Sequence, residues 1–275
     1  MDAKFQRRIQ RYGWDKAADA YEAGWRDSLA LVQSRLLEVA SAQPGEQVLD
    51  IACGTGLVTF PLAEGVSSAG RVVATDISQA MVDIIRRESE KRGLRQIDAF
   101  RADAEMLESI PDNTFDLVTC ALGFMYFPEP DRAMAEILRV LKPGGRAVIA
   151  VWGARKNCGW AEIFPIVDAR VQSAVCPMFF RLGTKRTLAL EMERAGFGAV
   201  VDHRLATDLP YPDEDAASDA AFVGGPVALA YSRFSDDIRQ NVRAEYVASI
   251  RDYKSEHGYR IPGEFVVASG RKAAA

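Results

Sequence analysis

The stretch Val48-Leu49-Asp50-Ile51-Ala52-Cys53-Gly54-Thr55-Gly56-Leu57 decides the fold. An apolar strand pattern runs into a loop of small residues, and a helical pattern starts immediately after it. Small residues let the backbone approach a ligand closely, and the helix start offers free N–H groups. Two glycines alone leave the ligand open. The dinucleotide fingerprint G-x-G-x-x-G, laid on Gly54 and Gly56, requires a glycine at position 59, where Thr59 stands.

Outward from this loop the chain alternates strand and helix. Strand patterns fall at 47–51, 71–76, 97–102, 115–120 and 146–152, and helical patterns at 57–64, 78–92 and 131–142. Ser78 is placed to cap the second helix and Gly93 to stop it, while Pro143-Gly144-Gly145 stops the third. Beyond Trp152 a mixed segment leads to a helix over 184–195, a strand over 199–205, helices over about 213–257 and a last strand over 264–268. The pattern implies an α/β fold: a Rossmann-like, seven-stranded, mostly parallel sheet with helices on both faces and a helical cap. It divides as an N-terminal helical lid (1–44), a binding core (45–152), cap loops and helices with a return to the sheet (153–212), a helical insertion (213–262), and a last strand and tail (263–275).

Three of the strands end in aspartate. Asp50 precedes the glycines, where dinucleotide sites have no standard use for an acid. Asp76 ends the second strand, twenty residues after Gly56, where a carboxylate can accept both hydroxyls of a ribose. Asp103 follows the third, where it can accept from an adenine amine. Together they put three carboxylates on the edge of the sheet where open α/β folds bind ligands. Each taken singly also reads as a helix or turn cap.

The loop and its following acids resemble class I S-adenosylmethionine (SAM)-dependent methyltransferases, especially the ubiquinone and menaquinone biosynthesis branch. The resemblance runs from about Tyr12 to Lys142 and resumes with Ala195-Gly196-Phe197 and the final strand. In that family the first glycine of G-x-G-x-G is often replaced by alanine, as at Ala52. The resemblance implies that Asp50, Ala52, Gly54 and Gly56 shape the pocket for the methionine part of SAM, and that Asp76 binds the ribose. Ile77 and Met81 would flank the adenine, Asp103 and the backbone of Ala104 would read its edge, and the Cys120 carbonyl would face the methionine amine. Family members carry an N-terminal helix with a tyrosine that closes on the cofactor; Trp14 to Tyr21 match it. Tyr21 is therefore either that lid or a ring packing a helix face. The implied activity is methyl transfer from SAM to a small metabolite, with S-adenosyl-L-homocysteine (SAH) as product. The alternatives are a SAM-binding protein of the same fold with other chemistry, and an NAD-linked oxidoreductase.

Composition narrows the partners. Among 275 residues, 34 are basic and 38 acidic, a net charge of −4, so no broad positive field attracts nucleic acid. The charged N-terminus does not lead into a signal-peptide core, and the longest apolar stretch, 147–152, is far short of a membrane span. Cys53, Cys120, Cys158 and Cys176 form no C-x-x-C pair and read as reduced thiols of a cytoplasmic protein, with no metal site.

The acceptor is less legible. The segment 153–183 holds Trp160, Phe164, Met178, Phe179 and Phe180. With Phe124, Tyr126 and Phe127 it forms either an apolar pocket over the methyl or the core of the cap. Phe124, Trp160, Phe179 and Phe180 are the substrate candidates. His203 and His257 are the only histidines, and neither spacing nor context assigns them a catalytic role. The fourth strand leads into Leu117-Val118-Thr119-Cys120-Ala121-Leu122-Gly123-Phe124. It lacks both the Asn/Asp-Pro-Pro-aromatic motif of exocyclic-amine methyltransferases and an acid cluster for magnesium. Ile238, Val242, Val247, Ile250 and Tyr253 recur at helical spacing and suit packing on the domain or a homodimer face.

Overall fold

The computed structural model describes residues 2–171 and 179–274; Cys176 and Met178 lie outside the described residues. The elements run α1 (Ala3–Ala40), β1 (Gln47–Ile51), α2 (Thr59–Val66), β2 (Arg71–Asp76), α3 (Gln79–Arg92), β3 (Ile97–Arg101), β4 (Phe115–Ala121), α4 (Pro130–Val140), β5 (Leu141–Trp152) and α5 (Ile163–Asp168). They continue through α6 (Thr187–Ala195), β6 (Gly198–Tyr211), α7 (Glu214–Phe222), α8 (Ala228–Tyr231), α9 (Asp236–Ile250), β7 (Lys254–Ser255) and β8 (Gly258–Arg271).

The sheet order is β3-β2-β1-β4-β5-β8-β6. The first five strands are parallel, whereas β8 runs antiparallel to both β5 and β6. The seven expected strands are joined by the short β7, which pairs with the start of β8. Because β1 is central, its Val48 and Leu49 are fully buried, as is the run Ala147–Val151 of β5. Burial on both faces is what makes these strands read as continuous apolar runs.

Local chemistry sets several boundaries where expected. Ser78 Oγ accepts from Met81 N–H at 3.2 Å to cap α3, and Gly93 ends it at φ +67°. Elsewhere the bounds move. Helix α4 ends at Val140 and β5 begins at Leu141, so Pro143, Gly144 and Gly145 occupy the head of the strand, beside an irregularity in its pairing with β4. Strands β6 and β8 extend well beyond 199–205 and 264–268. Their outer parts pair with each other at the sheet edge, where β6 is largely exposed and lacks the apolar run that marks an interior strand.

Helix α1 is the longest element, at 38 residues. One stripe of it, including Trp25, Leu29, Val32 and Leu36, is buried on the sheet and on α7 and α8. Its C-terminal end is held by Arg146, which donates to the carbonyls of Ala40 and Ser41 and pairs with Glu46. Helix α9 buries Val242, Tyr246 and Ile250 within the protomer, packed against α5 and α7. No helix among the described residues is long and apolar enough to cross a membrane.

Candidate active site

The loop after β1 turns on three residues with positive φ: Ala52 (+53°), Gly54 (+55°) and Gly56 (+94°). The chain doubles back far enough that Cys53 N–H donates to the Thr75 carbonyl (3.0 Å) and Gly54 N–H to Asp76 Oδ2 (2.9 Å). The glycines differ in what they permit. A Cβ on Gly56 would stand 2.5 Å from the Phe60 ring, so packing requires that glycine. A Cβ on Gly54 would point into open space, its nearest neighbour being Tyr21 Cε1 at 3.9 Å. Gly54 is thus bare toward a cavity. Across from the loop, a Cβ on Gly123 would overlap the Ala52 methyl, which ties the end of β4 to the glycine loop.

Beneath the loop lies Asp50, 1% exposed. Its carboxylate accepts from Thr59 Oγ1 at 2.6 Å and Thr119 Oγ1 at 2.8 Å, which joins β1 to α2 and β4. Burial outweighs these hydrogen bonds and pushes its pKa up to about 6. Asp76 is also buried. One oxygen takes the Gly54 N–H and the other the Ser78 N–H (2.9 Å), yet burial again pushes its pKa up to about 6.

Gly54 and Asp76 face a cavity. Ile51, Ala52, Gly54, Asp76, Ile77, Met81, Asp103 and Ala104 line one side, and Ala121, Leu122, Gly123, Tyr126 and Phe127 another. Helix α1 closes it with Arg7, Gln10, Trp14 and Tyr21. Two contacts hold that closure. Asp15 accepts from Ser78 Oγ at 2.7 Å and from Ala80 N–H at 3.3 Å, at the head of α3. Arg7 pairs with Asp103 (3.1 Å), Glu105 and Glu129. The other Asp103 oxygen accepts the Glu105 N–H at 3.0 Å.

A second, smaller hollow adjoins the first. Trp14, Tyr21, Leu122 and Tyr126 line both; Trp25, Leu29, Trp152, Trp160 and Pro226 complete the second. Its rings are in mutual contact: Trp14 lies edge-on to Tyr21 (5.8 Å) and Tyr126 (5.1 Å), and Trp160 is 4.7 Å from Trp152. Among the described residues, no lysine, arginine, histidine or carboxylate lines the hollow. Its Tyr21 phenol is pushed above the usual tyrosine range by burial and by the Asp76 charge.

Of the residues singled out in the sequence, the first cavity therefore gathers Tyr21, Ala52, Gly54, Asp76, Ile77, Met81, Asp103 and Ala104. Asp50, Gly56 and Cys120 lie behind its wall. Of the substrate candidates, Trp160 lines the hollow, but Phe124, Phe179 and Phe180 line neither cavity. Phe124 and Phe179 are buried, and Phe179 packs among Tyr126, Trp160, Phe164 and Phe180 with ring centroids 4.7–5.7 Å away. His203 lies on β6 with Nδ1 3.2 Å from an Arg35 nitrogen, and neither histidine lines these cavities. Sequence reasoning missed Arg7 and Trp25, and gave Trp14 no role beyond its place in the matching N-terminal segment. Their spacing was the available signal: 7, 14 and 21 recur every seven residues, and 25 follows by four, on one helix face.

Comparison with known proteins agrees with this geometry. A methyltransferase-domain family model matches residues 48–145. The ubiquinone/menaquinone biosynthesis C-methyltransferase UbiE of Teredinibacter turnerae is 39% identical over 122 residues, 44% of this chain and 49% of that protein. The match thus spans about half the length of that relative. Nocamycin O-methyltransferase of Saccharothrix syringae is 35% identical over 253 residues, 86% of this chain and 89% of its own length. Among solved structures, the cyclase SpnF shares the fold at 22% identity and a TM-score of 0.58, covering 89% of this chain and 81% of that one. Its likeness extends to architecture and not to chemistry. The extended match to nocamycin O-methyltransferase, on top of the domain match and the loop geometry, establishes that this chain belongs to the class I SAM-dependent methyltransferases.

Proposed function

We propose that the protein transfers the methyl group of SAM to a small, largely apolar ring compound held in the aromatic hollow. The observation that carries this is the shared wall: Trp14, Tyr21, Leu122 and Tyr126 line both cavities, so molecules filling the two meet there.

The residues of the first cavity fit the cofactor. Ionised Asp76 accepts from ribose hydroxyls; Ile77 and Met81 flank the adenine, and Asp103 with the Ala104 backbone reads its edge. Bare Gly54, on a loop braced by Asp50 and Gly56, leaves room for the methionine part. Bound there, SAM would supply a methyl activated by its sulfonium for transfer to the acceptor. The chain's own contribution is then to align the acceptor, exclude water and hold α1 closed. Among the described residues, the hollow is lined by no carboxylate or imidazole that could serve as a base, which supports an acceptor that has lost its proton before transfer or needs to lose none.

Relatives named as C- and O-methyltransferases support a small-molecule acceptor. The net charge of −4 favours this over nucleic acid. The free, buried thiols of Cys53, Cys120 and Cys158 support a cytoplasmic setting. The test is calorimetric titration with SAH, followed by a screen of ring-containing metabolites for acceptor-dependent SAH release. Absence of SAH binding refutes the reading.

A further inference from the structure

We propose that Arg7 is a positioning residue of the cofactor site: by gripping Asp103, Glu105 and Glu129 it holds the start of α1 over the bound cofactor and sets how fast SAH leaves. The inference rests on the methyltransferase reading above and adds how that site keeps and releases its cofactor.

Helix α1 is not held evenly along its length. From Ala17 onward it buries a stripe that includes Trp25, Leu29, Val32 and Leu36, whereas no described residue before Ala17 is buried. Yet Arg7, Gln10 and Trp14 of that earlier part line the cofactor cavity. Apolar burial therefore fixes the later turns, and individual contacts must fix the earlier ones. Trp14 packs edge-on to Tyr126 at 5.1 Å, and Asp15 accepts from Ser78 Oγ and Ala80 N–H. About two turns nearer the N-terminus, Arg7 supplies the ion pairs that tie α1 to the rest of the described chain.

Three carboxylates from two loops converge on that guanidinium. Asp103 (3.1 Å) and Glu105 follow β3 and line the same cavity, and Glu129 lies at the head of α4. The Glu105 side chain is fully buried, and its other oxygen accepts the Glu129 N–H, which joins the two loops. A planar guanidinium presents five donors in a fixed fork, so one side chain can serve all three acids. Without it, three like charges would face one another, one of them out of reach of water. The Arg7 side chain is itself only 18% exposed, so salt screens these pairs less than pairs on the open surface. The two sides of the clamp sit on different elements, and it closes only when α1 lies across the cavity. SAH held beneath α1 leaves when the clamp opens.

The test measures release of tritiated SAH chased with excess unlabelled SAH, together with its association rate, on wild type, Arg7→Met and Glu129→Gln. Methionine keeps an apolar stem and removes every donor. Release from Arg7→Met should be faster by at least about tenfold, the size of a lost hydrogen bond to a charged group, with association no slower than wild type. Glu129 lies outside the cavity lining, and Glu129→Gln loosens one grip of the three. Its release should rise about threefold, and the double variant should release no faster than Arg7→Met alone, because both act on one contact. Unchanged release from Arg7→Met overturns the proposal. Faster release joined to slower association also overturns it, since that marks a damaged site, as does additive behaviour of the two substitutions. Should Arg7→Met not fold, Glu129→Gln decides, and wild-type release from it overturns the clamp. Binding of SAH to wild type is verified first by calorimetry. A protein that fails there refutes the methyltransferase reading itself, whereas one that binds SAH with release indifferent to Arg7 refutes only this inference.

Discussion

In the first cavity the groups facing a ligand include a bare glycine, acids at strand ends and apolar side chains such as Ile77 and Met81. In the adjoining hollow they are rings from separate segments: Trp14, Tyr21 and Trp25 on α1, Leu122 and Tyr126 after β4, Trp152 and Trp160 around the end of β5, and Pro226 between α7 and α8. The first is braced by hydrogen bonds between chain neighbours in space, such as Gly54 to Asp76, and by glycines that only a narrow choice of residues can replace. The second is held by ring packing, which tolerates exchange of one apolar side chain for another of similar volume. A scaffold divided in this way can keep its cofactor while its acceptor changes.

The largest expected effect breaks the backbone-built half. Gly54→Val places a branched side chain at φ +55° and into the cavity beside Tyr21. Binding of SAH should weaken by at least about a hundredfold, since strain and occlusion act together. A folded variant with wild-type affinity in calorimetry would remove the loop from the cofactor site.

Next comes the boundary of the ring-built half. Phe179 is 2% exposed and lines neither cavity, so Phe179→Ala should cost about 3–5 kcal/mol of stability in chemical denaturation while SAH affinity stays near wild type. A loss below about 1 kcal/mol, joined to altered acceptor kinetics, would instead move Phe179 into the hollow's wall.

Asp76→Ala should weaken SAH binding by about 1.5–3 kcal/mol through loss of the ribose acceptor. The structure adds a second consequence: the Gly54 and Ser78 N–H groups lose their acceptor, so the melting temperature should fall as well. Asp76→Asn keeps a side-chain oxygen and separates the two effects. Weak binding with near-normal melting is expected of it, and normal binding would refute the ribose role.

The smallest effect is a pH dependence. Burial raises Asp76 to about 6, above its value in the unfolded chain. The folded protein therefore holds this proton more tightly, and Asp76 contributes stability below the unfolded value that is lost as pH rises through about 6. Cofactor affinity runs the other way, because the ribose requires the ionised form. Below about pH 6, SAH binding should weaken by up to about tenfold per unit. A flat affinity profile from pH 7 to 5 would show that the carboxylate is ionised throughout or plays no part.

Much of the cofactor half was legible in the sequence because its determinants are local. A loop that must turn at Gly54 and Gly56, and acids at or beside strand ends, Asp50 and Asp76, leave their mark within a few residues of the backbone they shape. The alternation of strand and helix from Gln47 to Val140 follows from the same short-range rules of capping and periodicity. Tertiary structure alone decided the rest. The spacing of Trp14, Tyr21 and Trp25 places them on one face of α1, but packing on the sheet sets which way that face points. The pairing of Arg7 with Asp103, the antiparallel insertion of β8 between β5 and β6, and the seating of Phe179 behind the hollow join residues far apart in the chain. Such contacts depend on how whole elements pack together, and no local pattern of residues encodes that arrangement.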